Sequence, residues 1–228
     1  MFAIIPLGKK GSNGLPILTI FISIACAIVY AFSQGEHEQY ALAYHAHTFN
    51  VPSMFTSVFA HANVWPHLLG NLFFFYSFSR TIETQISVVG YLLAFVLFVF
   101  VTNLAFSLTT VGPGWTVGLS GVVWGYMGIF LLRYPRDKID CFVWFVVIFK
   151  IIDVPAIIFI LGFLALNIGE YRHMDDSNVN YAAHFSGFAA GVLFKLLFWK
   201  LFTTEKPEPK KKTPFVLRPG PPRYTRGR

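Results

Sequence analysis

Six apolar segments dominate the chain, and their lengths limit what it can fold into. A helix needs roughly 17–25 apolar residues to cross the hydrocarbon core of a bilayer. The segments cover residues 15–32, 66–82, 88–108, 117–132, 154–169 and 181–202. Composition agrees, since 55% of the residues are hydrophobic and 13% are charged, against about 25% charged in soluble domains. We therefore predict an all-α, polytopic membrane protein, a bundle of six transmembrane helices.

The sequences that flank these segments divide the chain into three parts. Residues 1–14 are predicted to be a cytoplasmic amino-terminal segment, residues 15–202 the six-span membrane domain, and residues 203–228 a basic cytoplasmic tail. The tail is rich in Lys, Arg and Pro, which is typical of disordered segments, and we expect it to lie on anionic lipid. The net charge is +7, but the basic residues concentrate in this tail, beside many apolar segments. We therefore predict that they contact the membrane surface and that the protein has no nucleic-acid partner.

The residues that precede the fifth segment are unusual. Residues 140–169 are too long for one upright span and are interrupted by Lys150, Asp153 and Pro155. We predict an interfacial or partly inserted piece over 140–152, followed by the fifth span.

The Lys and Arg residues predict an orientation. With the amino terminus in the cytoplasm and the spans alternating, only Arg172 of the 18 basic residues falls outside, which satisfies the positive-inside rule. The predicted location is the bacterial inner (plasma) membrane, with both termini cytoplasmic. The second, fourth and sixth spans then run from outside to inside.

Neither disulfides nor metals are predicted. Cys26 and Cys141 lie in apolar runs and indicate no disulfide framework. His37, His45 and His47 lie in a polar stretch without a convincing ligand set.

A hydroxyl and a strip of glycines open the fourth segment. Ser120 stands at its start, and Trp124, four residues later, shares its helix face. A strip of glycines beside that face has no side chains and allows another helix to approach closely. The strip consists of Gly121, Gly125 and Gly128.

The sixth segment carries the matching features. His184 lies at its start, and Gly187 and Gly191 continue the same face at +3 and +7. We predict that the fourth and sixth segments pack tightly, and that Ser120 and His184 meet a few residues below the outer surface.

Polar side chains at membrane depth usually mark function. A serine needs a base to become a nucleophile, and neutral imidazole is the usual base near pH 7. No acidic residue is placed to orient His184, so the prediction is a Ser-His dyad with Trp124 holding the ring. His67 and Asn71, four apart in the second segment, and the amide of Ser120 are the predicted donors to an oxyanion.

These residues resemble the rhomboid family of intramembrane serine proteases. The resemblance covers about residues 59–191 and rests on Gly118-Leu119-Ser120-Gly121, on Ala183-His184 followed by Gly187 and Gly191, and on His61, His67, Asn71 and Glu83. It implies that Ser120 is the nucleophile and His184 the general base, with His67, Asn71 and the Ser120 amide as oxyanion hole. The implied supporting residues are Trp124, Gly118, Gly121, Gly187, Gly191, His61 and Glu83.

The resemblance also implies a substrate and a reaction. The substrates are single-span membrane proteins, cut near the outer face where their helix unwinds, which reach the site laterally past the fifth span. No metal or cofactor is required. In three respects the chain departs from the family pattern, one of which is that Ser79 and Ser87 stand where glycines often flank Glu83 by four residues on each side. His61 and His67 lie one residue farther apart than is usual, and Trp124 stands where Tyr is commoner.

Several alternatives stay open. His61 either orders a loop by a hydrogen bond or lies at the rim of the site. Glu83 is better explained as structural, bonding loop amides or pairing with Arg80, than as catalytic. The alternative function is a catalytically inactive rhomboid-like protein that binds or escorts membrane proteins. A small transporter is disfavoured, since the sequence has neither an evident repeat nor a buried carboxylate pair.

Overall fold

Helices form most of the described chain. The computed structural model describes residues 2–9, 14–62, 64–145, 148–172 and 179–204. A helix occupies each of the six apolar segments, so the predicted helical class is confirmed. In chain order the helices of these ranges are α1 (Ile17–Phe32), α2 (Glu36–Leu42), α3 (Val51–Phe59), α4 (Trp65–Glu83), α5 (Val88–Thr109), α6 (Ser120–Arg133), α7 (Ala156–Arg172), α8 (Tyr181–Leu197) and α9 (Trp199–Phe202).

The helices differ in how well they meet the requirements of a membrane span. Within the described ranges, α5, with 22 residues, is the one helix that is both long and apolar enough to cross a bilayer. The helices α1, α7 and α8 are apolar but shorter. The count of six transmembrane helices therefore stays a prediction. Residues 205–228, most of the tail predicted to be disordered, lie outside the described residues.

Five strands accompany the helices in the described ranges. They are β1 (Phe2–Lys9), β2 (Tyr44–His45), β3 (Trp115–Thr116), β4 (Lys138–Phe145) and β5 (Ile148–Pro155). Strands β2 and β3 form a small ribbon that joins the loop before α3 to the loop before α6.

The other three strands form an antiparallel sheet in the order β1-β4-β5. The sequence predicts an interfacial or partly inserted piece over 140–152, but the structure shows most of a β-hairpin there, with Asp140 opposite Asp153. Cys141 is buried, and the hydroxyl of Ser77 on α4 donates to the carbonyl of Pro6 at 2.6 Å. The sheet thus holds residues 2–9 against the carboxyl-terminal half of α4.

Polar side chains fix where two helices begin. The hydroxyl of Ser87 accepts a hydrogen bond from the N–H of Gly90 at 3.2 Å at the start of α5. The side-chain oxygen of Asn180 accepts one from the N–H of Ala183 at 3.0 Å at the start of α8. Such caps satisfy amides that have no partner within the helix. The cap on α8 therefore sets the position of His184 in its first turn.

The packing of α8 on α6 is a contact between backbones. A β-carbon added at Gly187 would lie 2.2 Å from the carbonyl oxygen of Gly121, and one added at Gly191 would lie 1.9 Å from that of Gly125. Residues 121–130 of α6 are all buried, so α6 lies at the centre of the bundle. The predicted close approach of the fourth and sixth segments is therefore present, because α8 has no side chain at either position.

The glycines of α6 mainly accommodate a different neighbour. A β-carbon at Gly121 would lie 2.7 Å from the methyl of Thr102, and one at Gly125 would lie 2.4 Å from the ring of Phe98. Both of these neighbours are on α5. Of the three glycines, Gly128 is the one whose missing side chain faces the backbone of α8, at 2.4 Å from a carbonyl oxygen. The strip is therefore shared between two helices.

The carboxylate of Glu83 caps a helix that has no cap of its own. Pro16 precedes α1 and provides no side-chain hydrogen bond. Instead, the two carboxylate oxygens of Glu83 accept bonds from the amides of Leu18 and Thr19, each at 2.8 Å. A negative charge at a helix amino terminus is favourable. Glu83 therefore ties the carboxyl-terminal end of α4 to the start of α1.

Replacing Glu83 by glutamine is expected to destabilise the fold. The amide keeps one acceptor but loses the charge and the second acceptor, and hydrogen bonds to charged groups contribute about 1.5–3 kcal/mol each. We expect a loss of about 2 kcal/mol in the free energy of unfolding, measured by SDS titration in detergent micelles. The control is Glu36→Gln on α2, where the carboxylate is exposed. Equal stabilities for the two variants would contradict the capping role.

Candidate active site

Ser120 and His184 are in direct contact. Ser120 is the first residue of α6 and His184 lies in the first turn of α8. The hydroxyl oxygen of Ser120 lies 3.0 Å from Nε2 of His184. The backbone contact between α6 and α8 holds the two side chains at this distance, although 64 residues of chain separate them.

The second nitrogen of His184 also has a partner. Its Nδ1 lies 2.9 Å from the side-chain oxygen of Asn167 on α7. The amide nitrogen of Asn167 donates to the carbonyl of Phe163, one turn earlier on α7, at 3.1 Å. The predicted dyad does not include Asn167, because an acidic residue is the usual partner of a catalytic histidine. The available signal was a lone amide in an apolar segment, which is costly unless it is bonded.

Trp124 lies against the imidazole of His184. The ring centroids are 5.6 Å apart, with a tilt of 31° between the planes. The indole also stacks on Phe163, with ring centroids 5.3 Å apart and planes 13° apart. Offset aromatic contacts of this kind are favourable. The indole therefore limits how far the imidazole can tilt away from Ser120.

His67 presents a donor to the space beside Gly118. Nδ1 of His67 accepts a hydrogen bond from the amide of Ala62 at 3.2 Å. A neutral imidazole that accepts at one nitrogen carries its proton on the other, which places an N–H at Nε2. That atom lies 3.0 Å from where a β-carbon of Gly118 would be.

Asn71 supplies a further donor near this space, and the amide of Ser120 is a donor two residues along the chain from Gly118. The amide nitrogen of Asn71 lies 3.9 Å from the same position at Gly118. One of its N–H groups donates to the carbonyl of His67 at 2.9 Å, and an amide has a second one. Ser120, at the first position of α6, has a backbone N–H without an acceptor inside the helix.

Gly118 is required at its position for two reasons. Its φ is +119°, a backbone conformation that other residues rarely adopt. A side chain there would also fill the space in front of His67. The N–H of Gly118 donates to the carbonyl of Ser57 at 2.8 Å, and the amide of Asn180 donates to the hydroxyl of Thr116 at 3.1 Å. These bonds fix the loop that leads into Ser120.

A small polar cavity adjoins Ser120. Its volume is about 20 Å³, which is room for about one water molecule. Polar groups that line it include Ser57, Thr102, Asn103 and Thr116. The cavity can therefore hold a water molecule next to the serine.

His61 lies beside His67. Its Nδ1 lies 3.1 Å from the carbonyl of Phe59, to which it donates, and its ring meets His67 edge-on at 5.2 Å between centroids. Burial, reinforced by the neighbouring His67, lowers the pKa of His61 from 6.5 to about 4. His61 thus orders its loop and supports the ring of His67.

Glu83 lies away from this site. It ends α4, whereas His67 lies in its first turn, so roughly 24 Å of helix separate them at about 1.5 Å per residue. Its partners on α1 are the amides of Leu18 and Thr19 and the hydroxyl of Thr19.

Two comparisons bear on the identity of the chain. A sequence model of the Rhomboid domain matches residues 48–201, more than half of the chain. A comparison with curated proteins finds no significant match. The matched range contains Ser120, His184, His67 and Asn71, together with Asn167.

Proposed function

The chain belongs to the rhomboid family and is therefore an integral membrane protein, and we propose that it is a serine endopeptidase that hydrolyses peptide bonds of single-span transmembrane proteins near the outer face of the membrane. The observation that carries this proposal is the 3.0 Å contact between the hydroxyl of Ser120 and Nε2 of His184. A serine becomes nucleophilic when an adjacent base removes its proton.

The dyad performs acyl transfer in two halves. Ser120 Oγ attacks the scissile carbonyl carbon while Nε2 of His184 takes its proton. The tetrahedral intermediate then collapses, and His184 returns that proton to the leaving amine. In the second half, His184 deprotonates a water molecule that attacks the acyl-enzyme and restores the serine. The polar cavity beside Ser120 is a suitable source of that water.

Three donors stabilise the oxyanion of the intermediate. They are the Nε2–H of His67, the free N–H of Asn71 and the backbone N–H of Ser120. Donors that are already oriented toward the developing charge need no reorganisation during the reaction. The hydrogen bond from Ala62 to His67 supports this role, because it keeps the proton on the nitrogen that faces Gly118.

The proposed setting is a bundle of six transmembrane helices with both termini in the cytoplasm. The distribution of basic residues supports this orientation. The dyad and the oxyanion donors lie in the first two turns of α4 and the first turns of α6 and α8, which with this orientation supports a reaction near the outer face of the inner membrane. The basic tail is proposed to contact anionic lipid.

Cleavage of a reporter in liposomes tests the proposal. The reporter is a single transmembrane helix with a different tag at each end, and mass spectrometry locates the cut. We expect two fragments, with the cut near the outer end of the helix. A reporter that binds and stays intact, with folded protein, would instead support an inactive binding or escort protein.

Removing the amide of Asn71 is expected to slow the reaction without weakening substrate binding. Asn71→Ala removes one oxyanion donor, and such a loss lowers kcat roughly 10²-fold. KM should change little, since the lost bond forms in the transition state. The control is Asn50→Ala, which removes the amide that caps α3 and should leave kcat intact. A rise in KM at constant kcat would contradict the assignment.

A further inference from the structure

Asn167 meets His184 on the side opposite Ser120. We propose that Asn167 is a positioning residue, which fixes His184 in the one tautomer and ring orientation that can accept the proton of Ser120. This inference rests on the proposed function. It adds a third side chain, from α7, to the two that the sequence identifies.

The hydrogen bonds of Asn167 define which way its amide points. The amide nitrogen can only donate, and it faces the carbonyl of Phe163 at 3.1 Å. The side-chain oxygen can only accept, and it faces Nδ1 of His184 at 2.9 Å. Turning the amide over would set two acceptors against each other at Phe163. The carbonyl of α7 therefore holds the oxygen of Asn167 toward the imidazole.

The orientation of Asn167 selects the tautomer of His184. Because Asn167 offers only an acceptor, Nδ1 of His184 must carry a proton. The neutral ring then has its lone pair on Nε2, the atom 3.0 Å from the hydroxyl of Ser120. The opposite tautomer would place lone pairs face to face at Asn167 and would leave Nε2 unable to accept a proton.

The same contact supports the charged form that arises during the reaction. After proton transfer, His184 is a donor at both nitrogens. Asn167 then accepts one of these bonds, while Nε2–H remains available for the leaving amine. An uncharged amide does this more weakly than a carboxylate, but it avoids burying a second charge. Asn167 is only 6% exposed, so water does not readily replace it.

One helix face provides both restraints on the imidazole. Phe163 and Asn167 are four residues apart and therefore share a face of α7. Phe163 stacks on Trp124, which also contacts the imidazole of His184. Asn167 thus fixes the ring through a bond in its plane, while Phe163 and Trp124 restrict its tilt.

Three variants test the role of Asn167 in the full-length protein in liposomes. Asn167→Leu keeps roughly the volume of the side chain but removes the oxygen that accepts from His184. Asn167→Ala removes the same oxygen with a smaller side chain, and it serves if the Leu variant does not fold. Both are expected to lower kcat roughly 10- to 100-fold with KM unchanged, since orienting a general base acts on the chemical step. Asn167→Asp, as the neutral acid, keeps an acceptor toward Nδ1 of His184 and a donor toward the carbonyl of Phe163, and should recover most of the rate.

A fluorophosphonate probe gives a second readout that does not depend on substrate binding. Its reaction rate with Ser120 should fall in the Leu and Ala variants by the same factor as kcat. The control is Gln39→Leu, which removes another buried amide, one bonded to the carbonyl of Ser33; its rates should equal those of the wild type.

The outcomes separate this inference from the proposed function. Wild-type rates in both the Leu and Ala variants, or an Asp variant no better than these two, would overturn the role of Asn167 alone. Folded wild-type protein that neither cleaves the reporter nor reacts with the probe would overturn the proposed function, and this inference with it.

Discussion

Replacing Ser120 by alanine is expected to lower the rate of reporter cleavage by roughly 10⁴-fold or more, to the level of the background, because nucleophile and base act as a unit. The acyl-enzyme cannot form without the hydroxyl, and nothing else at the site replaces it. His184→Ala should cause a similar loss, since the hydroxyl keeps its proton. The double variant should be hardly worse than either single one.

Folding must be separated from chemistry in this experiment. Ser186→Ala removes a different hydroxyl, one on α8 that donates to the carbonyl of Ala183 in its own helix, and should leave the rate unchanged. Binding of the reporter to Ser120→Ala should persist, because the substrate helix is held by contacts other than the attacked bond. Cleavage at more than a tenth of the wild-type rate in Ser120→Ala would contradict the assignment of the nucleophile.

Replacing Gly191 by alanine is expected to separate the helices that hold the dyad. The new β-carbon would lie 1.9 Å from the carbonyl oxygen of Gly125, far inside the ordinary contact distance of 3.4–4 Å. Neither backbone can move aside as a flexible side chain would. The helices α6 and α8 must therefore shift apart by about 1 Å or more, in an interior that tolerates little overpacking.

This shift should appear in two measurements. The free energy of unfolding should fall by about 4 kcal/mol or more, the range reserved for core disruption, in SDS titration followed by circular dichroism. The kcat of the remaining folded protein should also fall, since a misplacement of about 1 Å can reduce rates about 10²-fold. Gly191→Ala should therefore lower both stability and kcat, whereas removing a single oxyanion donor should lower kcat alone.

A matched glycine on α7 provides the control. Gly162 has no atom within 4 Å of the position of an added β-carbon, so Gly162→Ala should leave activity unchanged. Alanine favours helix over glycine by about 0.5–1 kcal/mol, so stability should stay the same or rise slightly. Gly191→Ala with wild-type stability and rate would show that α6 and α8 are not held by close backbone contact.

The helices were predictable because each apolar segment carries its own signal. Length and hydrophobicity of a single segment suffice to place a membrane helix, and α4 to α8 lie within a few residues of the predicted bounds. The sheet was not predictable in this way. Its central strand β4 pairs with β1 from the far end of the chain, and such pairing leaves no trace in local periodicity. The sequence predicts that Lys150, Asp153 and Pro155 interrupt a membrane span, whereas the three residues lie in β5.

The site shows the same division between local and distant signals. Ser120 and His184 each open an apolar segment with small residues at helical spacing, and this pattern predicts that they meet. Asn167 stands alone in its segment, and only the fold shows that α7 carries it to His184. Gly121 and Gly125 correctly predict close helix packing, but the sequence does not specify that side chains of α5 fill the space beside them.

Labelling with a fluorophosphonate probe tests the central claim most directly. The probe reacts covalently with a serine whose hydroxyl is activated by a neighbouring base, and mass spectrometry identifies the modified residue in the folded wild-type protein. We expect one adduct, on Ser120, which disappears in His184→Ala. Folded wild-type protein without an adduct on Ser120, or labelling that persists in His184→Ala, would contradict a dyad in which His184 activates Ser120.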